Sequence, residues 1–430
     1  MPDDNNSGGN NNQPDGDSND KFEDQVELIL AEFGDEIEID PPNWRTAGVN
    51  AIYRSRGVLV RDHDAPRAVD LFGGGNARRS SLGVTRLNLP DAVPADAPDG
   101  DGFTEIQRLL AYADRRFGRG YVTPEHLFYV CSVSPCPATE PEEVLEGALP
   151  DPFLTEVGNA DGHGVKVVVL DVGWTPAPSA PWLNGVSGDP EVAFDPVTKL
   201  IRPYAGHGTF IAGVVRAIAP QAEVVVKSYF NKAGAVFEAD LADRLAEVMD
   251  EDPDIISLSA GSTTRFDVPS MALDTFTRPR QGSADGPVLV AAAGNDGTDQ
   301  RFWPAAYPEA VSVGALAADG TSRAPFSNYG SWVDVYAPGE NLVNAFLTGR
   351  YKCTERPNAG RFRDFAGMAQ WSGTSFATPL VAGLIAARMS LTGERPKQAA
   401  NALLAFSHRR VLPAVGPVLL PDDAQASTDS

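Results

Sequence analysis

A doubly wound, mostly parallel α/β sheet with helices on both faces, preceded by a small α+β unit, is the architecture this sequence predicts. Three observations carry it. Val165-Lys166-Val167-Val168-Val169-Leu170 is a short, nearly all-apolar run of the kind that forms a strand buried on both faces. Two further runs, at 224–226 and 255–257, flank a helix with Leu241, Leu245, Val248 and Met249 on one face; strand–helix–strand alternation builds parallel sheets. Residues 380–387 are apolar almost all round, so a helix there is buried on every side.

Taken in order, residues 1–20 are nearly all Asp, Asn, Gly and Ser and are expected to be disordered. Residues 21–133 read as the small unit. A short amphipathic helix carries Phe22, Val26, Ile29, Leu30 and Phe33 on one side. Residues 57–61 and 84–89 read as strands and 66–72 as a short helix. The segment 104–113 has helical spacing at Ile106, Leu109, Leu110 and Ala113, and 126–130 reads as a strand. Gly73-Gly74-Gly75 before Arg78-Arg79 lacks the ending and the strand-to-helix setting of a phosphate loop, and reads as a flexible linker. Residues 134–160, rich in Pro and Glu, form a connector expected to be exposed. Residues 161–410 form the main domain, and 421–430 a disordered acidic tail.

With 430 residues the chain can bury a large core in more than one domain. Its 35 basic and 58 acidic residues give a net charge of −23, which disfavours nucleic acid and anionic membrane surfaces as partners. No uninterrupted apolar stretch approaches the length of a membrane span. The first residues lack the basic and apolar regions of a secretory signal. Three cysteines give no disulfide framework, Cys131 and Cys136 being either a local pair or two reduced thiols. A cytoplasmic location is the expectation.

The chemistry concentrates in four segments. Gly373-Thr374-Ser375-Phe376-Ala377-Thr378-Pro379 sets a hydroxyl nucleophile where the buried helix begins. Unpaired N–H groups and the positive end of the helix dipole favour developing negative charge there, which suits acyl transfer. Pro379 is expected in the first turn, where its missing N–H costs nothing. A serine also needs a base and an orienting acid. Among five histidines, His207 stands between Gly206 and Gly208 ahead of an apolar helical run. His163 begins the strand that Asp171 ends; eight residues at about 3.3 Å each separate the two by roughly 26 Å, so they are not partners. Asp171, at the carboxyl end of a buried parallel strand, lies where open sheets place their ligands and can hold one imidazole nitrogen. The run 288–293 ends in Gly294-Asn295, which sets a neutral amide donor able to bind an oxyanion at the same sheet edge. Taken singly these are a core histidine, a solvated aspartate and an Asn-Asp-Gly turn.

Together, in this order, the four segments resemble the subtilisin-like serine proteases, or subtilases, over roughly residues 162–407. The matching motifs are Asp-x-Gly, His-Gly-Thr-x-x-Ala-Gly, Ala-Ala-Gly-Asn and Gly-Thr-Ser-x-Ala-Thr-Pro; Asp, His, Ser is the subtilisin chain order. The resemblance implies a serine endopeptidase acting on protein or peptide substrates through an acyl-enzyme. Asp171, His207 and Ser375 would form the triad, and Asn295 with the Ser375 N–H the oxyanion hole. Ser259, Ala260 and Gly261 would bind substrate as an added strand. No cofactor is required; structural calcium is frequent in the family, but no spacing here identifies its ligands. The unit before the main domain resembles the family's inhibitory propeptide by position alone, so residues 48–131 are either an intramolecular inhibitor or a permanent accessory domain.

Two departures stand out. Val172 replaces the Ser or Thr usual after the aspartate, so one hydrogen bond to Asp171 is expected to be missing. The stretch 344–371, with Cys353 and Trp371, is longer than usual and reads as a surface insertion rather than a lid. Two rival functions remain: a catalytically silent protease-fold binding protein, and an α/β-hydrolase esterase, whose Gly-x-Ser-x-Gly elbow and Ser-acid-His order are not those of Ser375.

Overall fold

The structure, a computed structural model, describes residues 16–72, 76–80, 82–89, 97–98, 103–130, 140–153, 160–177, 180–230, 232–277 and 286–423. The linker glycines 73–75, Cys131 and Cys136 lie outside these residues, as do positions 1–15 and 424–430 of the two termini.

The first unit contains α1 (Gly16–Phe33), β1 (Ile37–Asp40), α2 (Trp44–Ala47), β2 (Ala51–Arg61), α3 (Ala65–Phe72), β3 (Ala77–Arg79), β4 (Val84–Asn88), α4 (Glu105–Phe117) and β5 (Thr123–Val130). Helix α1 begins inside the segment expected to be disordered, and its Val26, Ile29 and Phe33 are buried with Trp44 and Ile52. Apolar spacing from residue 26 onward outweighs the polar composition before it. Helix α4 starts at a capping box: the Thr104 N–H donates to Gln107 Oε1 at 3.0 Å and the Gln107 N–H to Thr104 Oγ1 at 3.4 Å. Its buried face includes Ile106, Leu109, Leu110 and Ala113, as the spacing predicts. The antiparallel sheet sets β2 between β4 and β5.

The second unit contains β6 (Lys166–Asp171), β7 (Val186–Gly188), α5 (His207–Ile218), β8 (Glu223–Ser228), β9 (Ala235–Phe237), α6 (Glu238–Val248), β10 (Ile255–Leu258), β11 (Ala260–Gly261), α7 (Met271–Thr277), β12 (Val288–Ala292), β13 (Ala310–Leu316), β14 (Val335–Pro338), β15 (Leu342–Lys352), β16 (Phe362–Trp371), α8 (Thr374–Thr392), α9 (Pro396–Ser407), β17 (Val411–Leu412) and β18 (Gly416–Pro417). Seven strands form the main sheet in the order β14-β13-β12-β10-β6-β8-β7, every neighbour parallel. Helix α8 runs through the larger core. It alone among the described residues is long and apolar enough to cross a membrane, and 89% of that window is buried inside the protein, which makes it a core helix.

The stretch 344–371 is not a surface insertion. It falls within the antiparallel hairpin β15–β16, whose Phe346, Tyr351, Phe365 and Trp371 enter the main core and stack edge-on. The connector is likewise only partly exposed. Leu145 and Leu149 face solvent, but Glu142 pairs with Gln370, and the buried Glu140 carboxylate accepts from Tyr351 Oη at 2.7 Å and the Thr354 N–H at 2.6 Å. Cys353 is buried and free.

Candidate active site

Strand β6, buried between β8 and β10, delivers Asp171 at its carboxyl end with no exposed surface. His207 opens α5. Gly206 before it adopts φ 85°, which glycine reaches without a Cβ penalty; a Cβ there would lie 2.3 Å from the Phe346 ring. His207 Nδ1 lies 2.9 and 2.8 Å from the two Asp171 oxygens. Val172 has no hydroxyl to donate to Asp171, and its backbone N–H donates to Asp171 Oδ1 at 2.8 Å.

A carboxylate at Nδ1 keeps the proton on that nitrogen and leaves Nε2 as the basic atom. Nε2 is buried without a hydrogen-bond partner among the described residues. Trp371 packs edge-on against the imidazole at 5.4 Å and Phe376 at 5.3 Å. These apolar walls exclude water from the ring, and no motif signalled either.

Ser375 is the second residue of α8 and fully buried; its neighbour Phe376 holds the first turn of α8 against His207. Pro379 is the sixth residue of that helix, not in its first turn. A proline there has no N–H to give the carbonyl four residues back, which is that of Ser375. Ser259 Oγ donates to this carbonyl instead, at 2.9 Å. The Ser375 hydroxyl in turn lies 3.5 Å from the Ser259 carbonyl oxygen. Ser259 thus touches the serine twice, a positioning contact that the sequence reading confined to substrate binding.

Asn295 comes to the same helix end. Its Oδ1 accepts from both the N–H and the hydroxyl of Thr374, each at 2.9 Å, and Thr374 Oγ1 accepts from the Gly294 N–H at 3.2 Å. These bonds fix which end of the amide is oxygen and turn its nitrogen away from Thr374. Thr374 escaped the sequence reading, although it stands inside the Gly-Thr-Ser motif. The adjacent Asp296 carboxyl is pushed up to about 6 by burial, against the opposing hydrogen bond from Asn328. Among the described residues no three His, Cys, Asp or Glu side chains converge to hold a metal.

The segment expected to receive a substrate backbone is already paired. Strand β5 lies antiparallel to β11, with Val130 opposite Ala260 and Tyr129 opposite Gly261. Its other edge pairs with β9, Leu127 opposite Phe237 and Tyr129 opposite Ala235. Side chains key this docking. The His126 N–H and Nδ1 both reach Glu238 Oε2, at 3.3 and 2.9 Å, and the Arg265 N–H donates to His126 Nε2 at 3.1 Å. Arg61 pairs with Asp274 at 2.7 Å, Arg86 with Asp240 at 3.0 Å and Asp114 with Arg265 at 2.8 Å.

A subtilase fold with these four segments at one sheet edge defines the class, and comparison agrees. The model of the subtilase family matches residues 162–406, more than half of the chain, which therefore belongs to that family. It is 31% identical over 242 residues to an intracellular serine protease of Paenibacillus polymyxa, covering 52% of this chain and 66% of that protein. It is 32% identical over 234 residues to subtilisin Savinase of Lederbergia lenta, covering 52% and 76%. A thermophilic serine proteinase of Bacillus sp. (strain AK1) is 34% identical over 191 residues, 42% of this chain and 41% of that protein. The chain thus spans between about two fifths and two thirds of the length of two of these three relatives. The crystal structure of fervidolysin from Fervidobacterium pennivorans, a keratinolytic enzyme related to subtilisin, has TM-score 0.56 at 18% identity, over 87% of this chain and 61% of that one. That likeness is one of fold.

Proposed function

We propose that this chain is a serine endopeptidase of protein or peptide substrates, held latent by its own strand β5. The observation that carries the reading is the His207 imidazole, its Nδ1 on both Asp171 oxygens and its Nε2 buried beside the first turn of α8. Nε2 takes the Ser375 proton as Oγ attacks the scissile carbonyl, Asp171 stabilises the imidazolium, and the same nitrogen returns the proton to the leaving amine. The Asn295 amide and the Ser375 N–H receive the oxyanion, and water then repeats the sequence on the acyl-enzyme.

Latency follows from pairing. A substrate strand needs the edges of β9 and β11, which β5 covers. Release requires scission of the chain after Val130 or detachment of β5. The test is intact mass after expression. Wild type is expected to shorten while Ser375→Ala accumulates uncut chain; equal masses would reject self-processing. A fluorophosphonate probe separates a peptidase from a silent binding protein, because only a competent site is labelled at Ser375.

A further inference from the structure

Glu191 is a partly buried carboxylate that no step above uses. Its Oε2 accepts from the Gly206 N–H at 2.7 Å, in the turn that presents His207. Its Oε1 accepts from Thr175 Oγ1 at 2.7 Å, in the loop that follows Asp171. Thr209, two residues beyond His207, lies 3.4 Å from the same oxygen, and its hydroxyl accepts from the Thr175 N–H at 2.9 Å. One side chain therefore bolts the segment carrying the base to the segment carrying the acid. Such a carboxylate, bound only to donors, is held best when ionised.

We propose that Glu191 is a positioning residue for the Asp171–His207 pair: in its ionised form it fixes the turn ahead of His207 and ties it to the loop that follows Asp171. The proposal rests on the peptidase reading. Burial pushes its carboxyl up to about 7, helped by the Asp171 charge and opposed by the Gly206 and Thr175 hydrogen bonds. Around it stand Asp171 at the end of β6, Glu32 of α1, and Asp195 and Arg202 of its own loop. The last three line with it a cavity of about 390 Å³. Among the described residues lining the cavity Arg202 alone opposes the carboxylates, so these surroundings are net acidic.

The test is kcat and KM against pH on a peptide substrate, for the full chain and two variants. Glu191→Gln keeps the shape, loses the charge and sets an amide N–H against a donor. Its kcat is expected to fall about tenfold with KM within about twofold, and the acid limb to move down by about half a pH unit, because the Glu191 titration no longer contributes to it. Thr175→Val keeps the carboxylate but removes a donor to its ionised form, which raises its protonation midpoint and moves the acid limb up. A merely structural side chain would shift neither limb. If Glu191→Gln does not fold, the upward shift in Thr175→Val carries the test, and an unmoved limb there overturns the assignment. An active wild type with unmoved limbs in both variants overturns the role of Glu191 alone. A wild type that hydrolyses nothing and takes no fluorophosphonate overturns the peptidase reading, and this one with it.

Discussion

His126→Leu removes the polar key that seats β5 while keeping an apolar side chain in a site only 2% exposed. In the native chain the Arg265 N–H donates to Nε2, so Nδ1 carries the proton and donates to Glu238, a carboxylate with no exposed surface. Leucine loses that charge-assisted bond and orphans the Arg265 N–H. Glu238 keeps the Ser270 hydroxyl at 2.7 Å and the Ala272 N–H at 2.9 Å on its other oxygen, so it remains partly satisfied. A hydrogen bond to a charged group contributes about 2 kcal/mol and an orphaned buried N–H costs about 1 kcal/mol, for a docking loss of about 3 kcal/mol. At about 1.4 kcal/mol per tenfold, the detached population rises on the order of 10²-fold. The readout is the rate at which a fluorophosphonate labels Ser375 in the fraction still uncut, resolved by intact mass, with circular dichroism confirming that both proteins are folded. Labelling is expected to accelerate by up to that factor. A folded His126→Leu chain labelled at the wild-type rate would refute the claim that β5 must leave its seat before Ser375 can react.

Four further substitutions test the site itself. Asn295→Leu is expected to lower kcat by roughly 10²–10³ with little change in KM, and Thr374→Val, which removes one of the two bonds that hold the amide, by about tenfold; unaltered kcat in Asn295→Leu removes that residue from the oxyanion hole. Ser259→Ala leaves the Ser375 carbonyl without the donor that replaces the Pro379 N–H, and kcat should fall about tenfold with the thermal midpoint slightly lowered. A change confined to KM would return Ser259 to substrate binding. Gly208→Ala sets a Cβ 2.2 Å from the Gly173 carbonyl oxygen and 3.2 Å from Asp171 Oδ1; the turn must shift, and activity should drop by more than about 10²-fold in a folded protein.

The parts legible in the sequence are those where chemistry and periodicity coincide. Asp171 closes an apolar run and His207 opens one, and in the parallel sheet both ends fall on the same edge, so the pairing could be read without coordinates. The hairpin β15–β16 could not. Its aromatics are buried by contacts with α5 and with one another, and nothing local to residues 344–371 says that the facing surface is a core. The role of Pro379 was misread because a helix start shifted by a few residues changes which N–H is spared, and boundaries are the least reliable part of a periodicity argument. Glu191 and Thr374 act through partners distant in sequence, and no spacing rule reaches them.

The strand in the groove also had to be placed in one register, and apolar packing alone would not do this. Val130, Phe128 and Leu59 join a core with Tyr204 and Phe230, and Leu127 and Tyr129 join another with Phe237 and Phe302, so both faces of β5 are greasy. A one-residue slip sends each side chain to the opposite face. On β5 it would bring Leu127 against Glu238 and the Arg265 N–H, and would turn Glu125 away from Arg54 and Arg86. Each loss strands a buried charge, a cost of several kcal/mol that apolar contact does not recover. The buried polar residues on neighbouring positions of β5 thus select the alignment that ends the strand at Val130, opposite Ala260.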